Sequence, residues 1–179
     1  DEAFLSLVPD GEKQSLIPLI SDYENLVVIR SLTKLFGIAG IRLGYAIASP
    51  KRLQRWNSWR DPWPVNSLAE LAGITLLSNK LELTAWHKKV HSWINTESPW
   101  LSTHLARLKN ISTYPSSANY LLIEGKESLL KLREKLAHHK ILLRDCRSFH
   151  GLGSNWLRIS LQTREGNQRI ISTMQEIIN

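Results

Sequence analysis

Lys34 lies in a run of residue types that together could do amine–carbonyl chemistry on a phosphorylated ligand: Ser31-Leu32-Thr33-Lys34-Leu35-Phe36-Gly37-Ile38-Ala39-Gly40-Ile41-Arg42-Leu43-Gly44. A lysine ε-amine condenses with aldehydes, and its surroundings readily shift its pKa for that work. Hydroxyls stand three residues and one residue before it, at Ser31 and Thr33, and Arg42 stands eight residues after it. Hydroxyls are directional donors, and a guanidinium is a planar, permanently charged fork. A phosphate dianion needs both. A lone lysine would read as an exposed loop residue and Arg42 as a surface cation. Many constrained positions of differing chemistry favour a site.

The elements around this run follow from periodicity. Leu26 to Ile29 is a short apolar, β-branched run that predicts a buried strand of a parallel sheet,. Ile41 to Ala48 predicts a second strand, ended by Ser49-Pro50, and Lys51 to Trp59 a short helix. Asp61-Pro62-Trp63-Pro64 is a loop, because its prolines remove donors and restrict their neighbours,. From Ser67 the pattern is helical, with Leu68, Leu71, Ala72 and Leu76 on one face, Ser67 as N-cap and Glu70 completing a capping box,. A second helical pattern spans Leu81 to Leu108, with a kink or break expected near Glu97-Ser98 because of Pro99,. Tyr120 to Ile123 and Ile141 to Leu143 predict strands, with a helix through Leu129, Leu132 and Leu136 between them. Trp156 to Leu161 alternates strictly, so Arg158 points away from the face of Leu157, Ile159 and Leu161,. Ile170, Ile171, Met174, Ile177 and Ile178 form the stripe of a last helix. The class is α/β.

The lysine run resembles, at every position of the pattern, the cofactor-lysine signature of the class I/II aminotransferases, in the fold-type I superfamily of pyridoxal-phosphate (PLP) enzymes. The resemblance implies PLP as cofactor, carried by Lys34, with Ser31, Thr33 and Arg42 on its phosphate. It also implies that Asp1, heading Asp1-Glu2-Ala3-Phe4, pairs with the pyridine nitrogen. A carboxylate there keeps that nitrogen protonated, so the ring can draw electrons from a substrate Cα. Many members carry a tyrosine three residues after this aspartate, donating to the cofactor O3′. Phe4 stands here and cannot make that bond.

Arg158, in Trp156-Leu157-Arg158-Ile159-Ser160, matches the family's arginine for the substrate α-carboxylate, and its place in the alternation suits that role. Arg144 lies in Leu142-Leu143-Arg144-Asp145-Cys146-Arg147-Ser148-Phe149. That run and Trp63-Pro64-Val65-Asn66-Ser67-Leu68-Ala69 look most like the threonine-phosphate decarboxylases of the cobalamin pathway, whose near relatives are the histidinol-phosphate aminotransferases. Both act on amino compounds bearing a phosphate. Arg144 is assigned to the substrate's phosphate or carboxylate, with Arg147 as a weaker candidate. The implied activity is decarboxylation of L-threonine O-3-phosphate to (R)-1-aminopropan-2-yl phosphate. The alternatives are PLP-dependent transamination of histidinol phosphate or a related amino acid, and a non-catalytic dimerisation module.

The resemblance implies the C-terminal half of such an enzyme. Residues 1–80 would close a PLP-binding large domain with a parallel-type sheet and helices, 81–110 would form a connecting long helix, and 111–179 a small C-terminal α/β domain. The glycine-containing phosphate loop, the aromatic that stacks on the ring and the asparagine beside O3′ are missing from the run of matches. A fragment is therefore expected, inactive by itself and poor at binding PLP, with the complete protein a homodimer whose sites lie at the subunit interface.

Composition bounds the rest. A single Cys146 excludes an internal disulfide framework and fits a reducing, cytoplasmic setting,. No apolar stretch is long enough to span a bilayer, and no membrane partner is expected,. The net charge of +7 is scattered through amphipathic segments, and Trp86, Trp93 and Trp100 recur at sevens as on a packed helix face, so nucleic acid is not the expected partner,. His87 and His91 stand four apart without a third ligand at useful spacing, and no metal is expected,.

Overall fold

In the computed structural model, which describes residues 1–178, Val27–Ser31 is strand β1 and Gly44–Ala48 is strand β2. The two pair antiparallel, from Val27 opposite Ala48 to Ser31 opposite Gly44. The α/β class stands, and within it this one strand pair is antiparallel. The link between the strands holds only the single turn α1 (Leu32–Leu35) and a 3-10 turn at Ala39–Ile41, too little for a parallel crossover,. Burial along β1 alternates, and Ile29 is exposed, unlike a strand covered on both faces,. The expected strand start at Ile41 gives way to the 3-10 turn, because Arg42 takes a left-handed backbone (φ 59°) that no strand accommodates,.

The chain divides into two compact units, Asp1–His91 and Ser92–Asn179. The first also holds α2 (Pro50–Asn57), with proline at its first turn, and α3 (Ser67–Ser78). The N-cap of α3 is Asn66, not Ser67: its side-chain oxygen accepts from the Ala69 N–H at 2.9 Å,. The face of α3 expected to be buried is largely bare, since Leu68 and Leu71 are exposed and only Ala69 is fully covered. Helix α4 (Lys80–Leu105) contains Pro99 without the expected break. Pro99 is exposed, and the residues before it are tied down: Glu97 takes a bidentate bond from Arg164 (3.0–3.2 Å) and a 2.8 Å bond from Asn167. None of the helices in the described residues is long and apolar enough to cross a membrane.

The second unit is built on a four-stranded antiparallel sheet, β3 (Ile111–Thr113), β4 (Tyr120–Gly125), β5 (Arg144–Asp145) and β6 (Trp156–Ser160), in the order β3-β4-β6-β5. Helices α5 (Leu130–His138) and α6 (Arg164–Ile178) accompany it. Leu121, Ile123, Leu157, Ile159, Leu136 and Met174 are its fully buried core, as the alternation on β6 and the α6 stripe predict. Ile141–Leu143 is not a strand. The hairpin partner of β6 is Arg144–Asp145, one step later, and this puts Arg144 itself in the ladder.

The tryptophans at sevens are packed rather than displayed. In the first unit Trp86 Nε1 donates to the Leu35 carbonyl (3.0 Å). In the second, Trp93 Nε1 donates to that of Gln162 (3.1 Å), and Trp100 stacks on His104.

Candidate functional site

The lysine is presented by its own short helix. Leu32, Thr33 and Leu35 of α1 are buried, which leaves Lys34 as the exposed position of that turn. Ser31 Oγ and Thr33 Oγ1 lie 2.8 Å apart, one hydrogen bond joining the two hydroxyls. Arg42 is exposed and spends one N–H on the Ala39 carbonyl (3.0 Å). Its left-handed backbone is costly for a residue with a Cβ, and such strain collects where function over-determines the chain,. Gly44 cannot be replaced cheaply, because a Cβ there would stand 2.8 Å from the Arg30 carbonyl. The tight β1–β2 approach thus fixes where the segment from Ser31 to Arg42 leaves and rejoins the pair.

Asp1 is exposed, its Oδ1 accepting from the Ala3 N–H (2.8 Å). The segment after it is anchored to β1. Glu2 N–H donates to the Ile29 carbonyl (2.8 Å), and the Phe4 ring centre lies 5.3 Å from Lys34 Nζ. The Phe4 ring thus stands beside the lysine amine,.

A buried ion cluster holds that anchor. Arg30, only 6% exposed, donates from Nε to Glu2 (2.8 Å), from Nη1 and Nη2 to Glu12 (2.7 and 3.0 Å) and from Nη2 to Ser15 (3.0 Å). Burial works to raise the Glu2 carboxyl, but bonds from the Leu16 N–H, Ser15 and Arg30 more than offset it and hold it below its usual range,. The Glu12 carboxylate raises Arg30 above its ordinary value, against desolvation. Sequence reasoning passed over this cluster. Glu2 and Arg30 are far apart in the chain, and only the chain's return along β1 makes them neighbours.

An open cleft of about 640 Å³ in the first unit is lined by Leu32, Leu43, Tyr45, Arg60, Trp63 and Glu70 among others, but not by Lys34.

In the second unit Arg144 and Arg158 stand directly opposite each other across β5–β6. Cross-strand partners point to the same face, and like charges there are unfavourable unless an anion lies between them. Arg158 Nε is buried with no hydrogen-bond partner, and its guanidinium carbon lies 5.0 Å from the Tyr120 ring centre. Arg144 donates to Ser148 (3.2 Å) and lies 5.7 Å from the Phe149 ring centre. Arg147 is engaged elsewhere, gripping Asp145 through three guanidinium bonds of 2.6–3.2 Å and holding that carboxyl down at about 2. Cys146 lies beneath, fully buried, and burial pushes its thiol up. His91 offers a ring nitrogen to the Ser6 carbonyl (2.9 Å) rather than to a metal set.

Residues 1–174 match the aminotransferase class I and II family. This chain belongs to that family. It is 32% identical over 179 residues to the threonine-phosphate decarboxylase of Salmonella typhimurium, covering 99% of this chain and 48% of that protein. It is 34% identical over 159 residues to the histidinol-phosphate aminotransferase of Methanocaldococcus jannaschii, covering 88% and 42% respectively. The crystal structure of the histidinol-phosphate aminotransferase from Clostridium acetobutylicum superposes with a TM-score of 0.89 at 28% identity, over all of this chain and 53% of the other. The chain thus spans about half the length of the curated relatives it matches. Pyridoxal 5′-phosphate is the cofactor of this family. The residues of the lysine turn fit that group: two facing hydroxyls and an exposed guanidinium suit a phosphate, beside an exposed lysine amine,.

Proposed function

We propose that this chain supplies the lysine-bearing half of a pyridoxal-phosphate-dependent decarboxylase acting on L-threonine O-3-phosphate. The observation that carries the substrate class is the Arg144–Arg158 pair, two unneutralised guanidinium groups across one strand pair. An amino acid bearing both a carboxylate and a phosphate is the kind of molecule that offers each an anion.

When bound, the cofactor supplies an electron sink conjugated with the substrate Cα. Lys34 holds it through Nζ, and that nitrogen then carries a proton to Cα. Ser31, Thr33 and Arg42 bind the cofactor phosphate and stop the ring from turning. Asp1 keeps a proton on the ring nitrogen. Phe4 shields the Lys34 ammonium from water on one side, in place of a hydroxyl partner. Arg158 takes the substrate carboxylate and Arg144 its phosphate, and together they orient Cα so that the carboxyl bond is the one aligned to break. A homodimer in the cytoplasm, with residues 1–80, 81–110 and 111–179 as large-domain portion, connecting helix and small domain, accords with this reading.

Transamination of histidinol phosphate or a related amino acid is the second reading, favoured by the 34% identity to the Methanocaldococcus jannaschii protein. The same arginines serve, with a different bond aligned. Incubating the protein as its gene encodes it with L-threonine O-3-phosphate separates the two. Release of CO₂ without a 2-oxo acid acceptor supports the decarboxylase; acceptor-dependent turnover without CO₂ overturns it.

A further inference from the structure

Each guanidinium of the Arg144–Arg158 pair rides on an aromatic ring, and the two do so differently. Arg144 is exposed, lies 5.7 Å from the Phe149 ring centre and has a hydrogen bond to Ser148. Arg158 is half-buried, lies 5.0 Å from the Tyr120 ring centre, and donates no hydrogen bond to any described residue. Its Nε is buried without a partner, a cost that native structures seldom accept,. The Asp145 carboxylate, on the neighbouring strand, is already committed to Arg147. Neither a carboxylate nor a carbonyl therefore steadies Arg158 against the opposing charge of Arg144. The Tyr120 ring does: its negative face attracts the guanidinium and gives it a lateral stop.

The register explains how. Leu122 is the direct partner of Arg158 and Tyr120 that of Ser160, so Tyr120 reaches Arg158 on the diagonal, within range of an aromatic side chain,.

We infer that Tyr120 is a positioning residue for Arg158, its ring face holding the guanidinium so that Arg158 and Arg144 close on one doubly anionic ligand. This rests on the reading of Arg158 as an anion-binding arginine. The ring, not the phenol hydroxyl, carries the role. Because the contact leaves the terminal nitrogens unspent, both stay available to a carboxylate.

The test is a titration of the cofactor-free protein, as its gene encodes it, with L-threonine O-3-phosphate, followed by the side-chain Nε–H resonance of Arg158 and by affinity. Four proteins are compared: the unaltered chain, Tyr120→Phe, Tyr120→Met and Arg158→Gln. Tyr120→Phe is expected to keep affinity within about twofold and leave the Arg158 resonance in place. Tyr120→Met keeps a flexible apolar side chain without the ring and is expected to weaken binding about three- to tenfold, the range of a cation–π contact. It should also speed exchange of the Arg158 Nε–H while the backbone amides of Leu157 and Ile159 stay unchanged. Equal affinity in Tyr120→Met and the unaltered chain, with Arg158→Gln impaired, overturns the Tyr120 role and spares the arginine reading. Unchanged affinity in Arg158→Gln overturns both. A Tyr120→Phe variant as weak as Tyr120→Met also overturns the proposal, because the hydroxyl would then be the active group.

Discussion

Arg30 shows how much of the candidate site depends on one buried charge. Its guanidinium satisfies Glu2, Glu12 and Ser15 at once, and Glu2 directly follows Asp1. Arg30→Met would leave the Glu2 carboxylate buried and unpaired. It is expected to destabilise the chain by about 3 kcal/mol, the low end for breaking a buried pair because Glu12 is half-exposed,. Urea unfolding of the two proteins measures it. At this scale the sequence was legible where the chemistry is local in the chain. Ser31, Thr33, Lys34 and Arg42 fall within twelve residues, and the structure puts the two hydroxyls in contact beside the lysine. The supports of Arg158 were not legible. Tyr120 reaches it only through a strand register that no spacing along the chain encodes, and Arg30 meets Glu2 by the same kind of return.

The helices carry the next two predictions. Asn66 caps α3, so Asn66→Ala is expected to cost about 1 kcal/mol, whereas Ser67→Ala should fall within about 0.5 kcal/mol of the parent in thermal melts,. The sequence pointed to Ser67 because Glu70 completes a capping box with it. Asn66 won because its side-chain oxygen reaches the Ala69 N–H one position earlier. Between α4 and α6, the Arg164 bonds lower the Glu97 carboxyl pKa, against burial, with Asn167 adding to them. A carboxyl lowered on folding adds stability that is fully present above its unfolded value, about 4.3. That stability is lost as pH falls through the folded value. The melting temperature is therefore expected to fall on acidification below about pH 4.5, and less steeply in Glu97→Gln. Glu2 and Asp145 titrate in the same direction, so the slope should shrink without vanishing. Pro99 predicted a kink or break from its missing donor alone; the side-chain bonds of Glu97, two residues before it, were invisible to that reasoning.

Across the molecule, apolar surface is unevenly shared. Among the described residues, every exposed large hydrophobic residue lies in the first unit except Tyr114, Leu142 and Phe149, while the fully buried large side chains lie in the second except Leu7. The α/β class was legible from the alternation of periods, but the bare stripe of α3 was not, because a helical stripe says what must be covered and not by what. The chain made by itself is expected to self-associate through Leu68, Leu71 and Ile74,. Sedimentation should show association that Leu71→Glu with Ile74→Glu reduces without lowering the melting temperature. The central claim concerns Lys34, and borohydride reduction tests it most directly. The protein as its gene encodes it, with whatever precedes Asp1 included, would be loaded with pyridoxal 5′-phosphate, reduced, digested and weighed by mass spectrometry. A single phosphopyridoxyl group on the peptide containing Lys34, lost in Lys34→Ala, is the expected result. A modification on another lysine, or one that survives Lys34→Ala, contradicts the assignment.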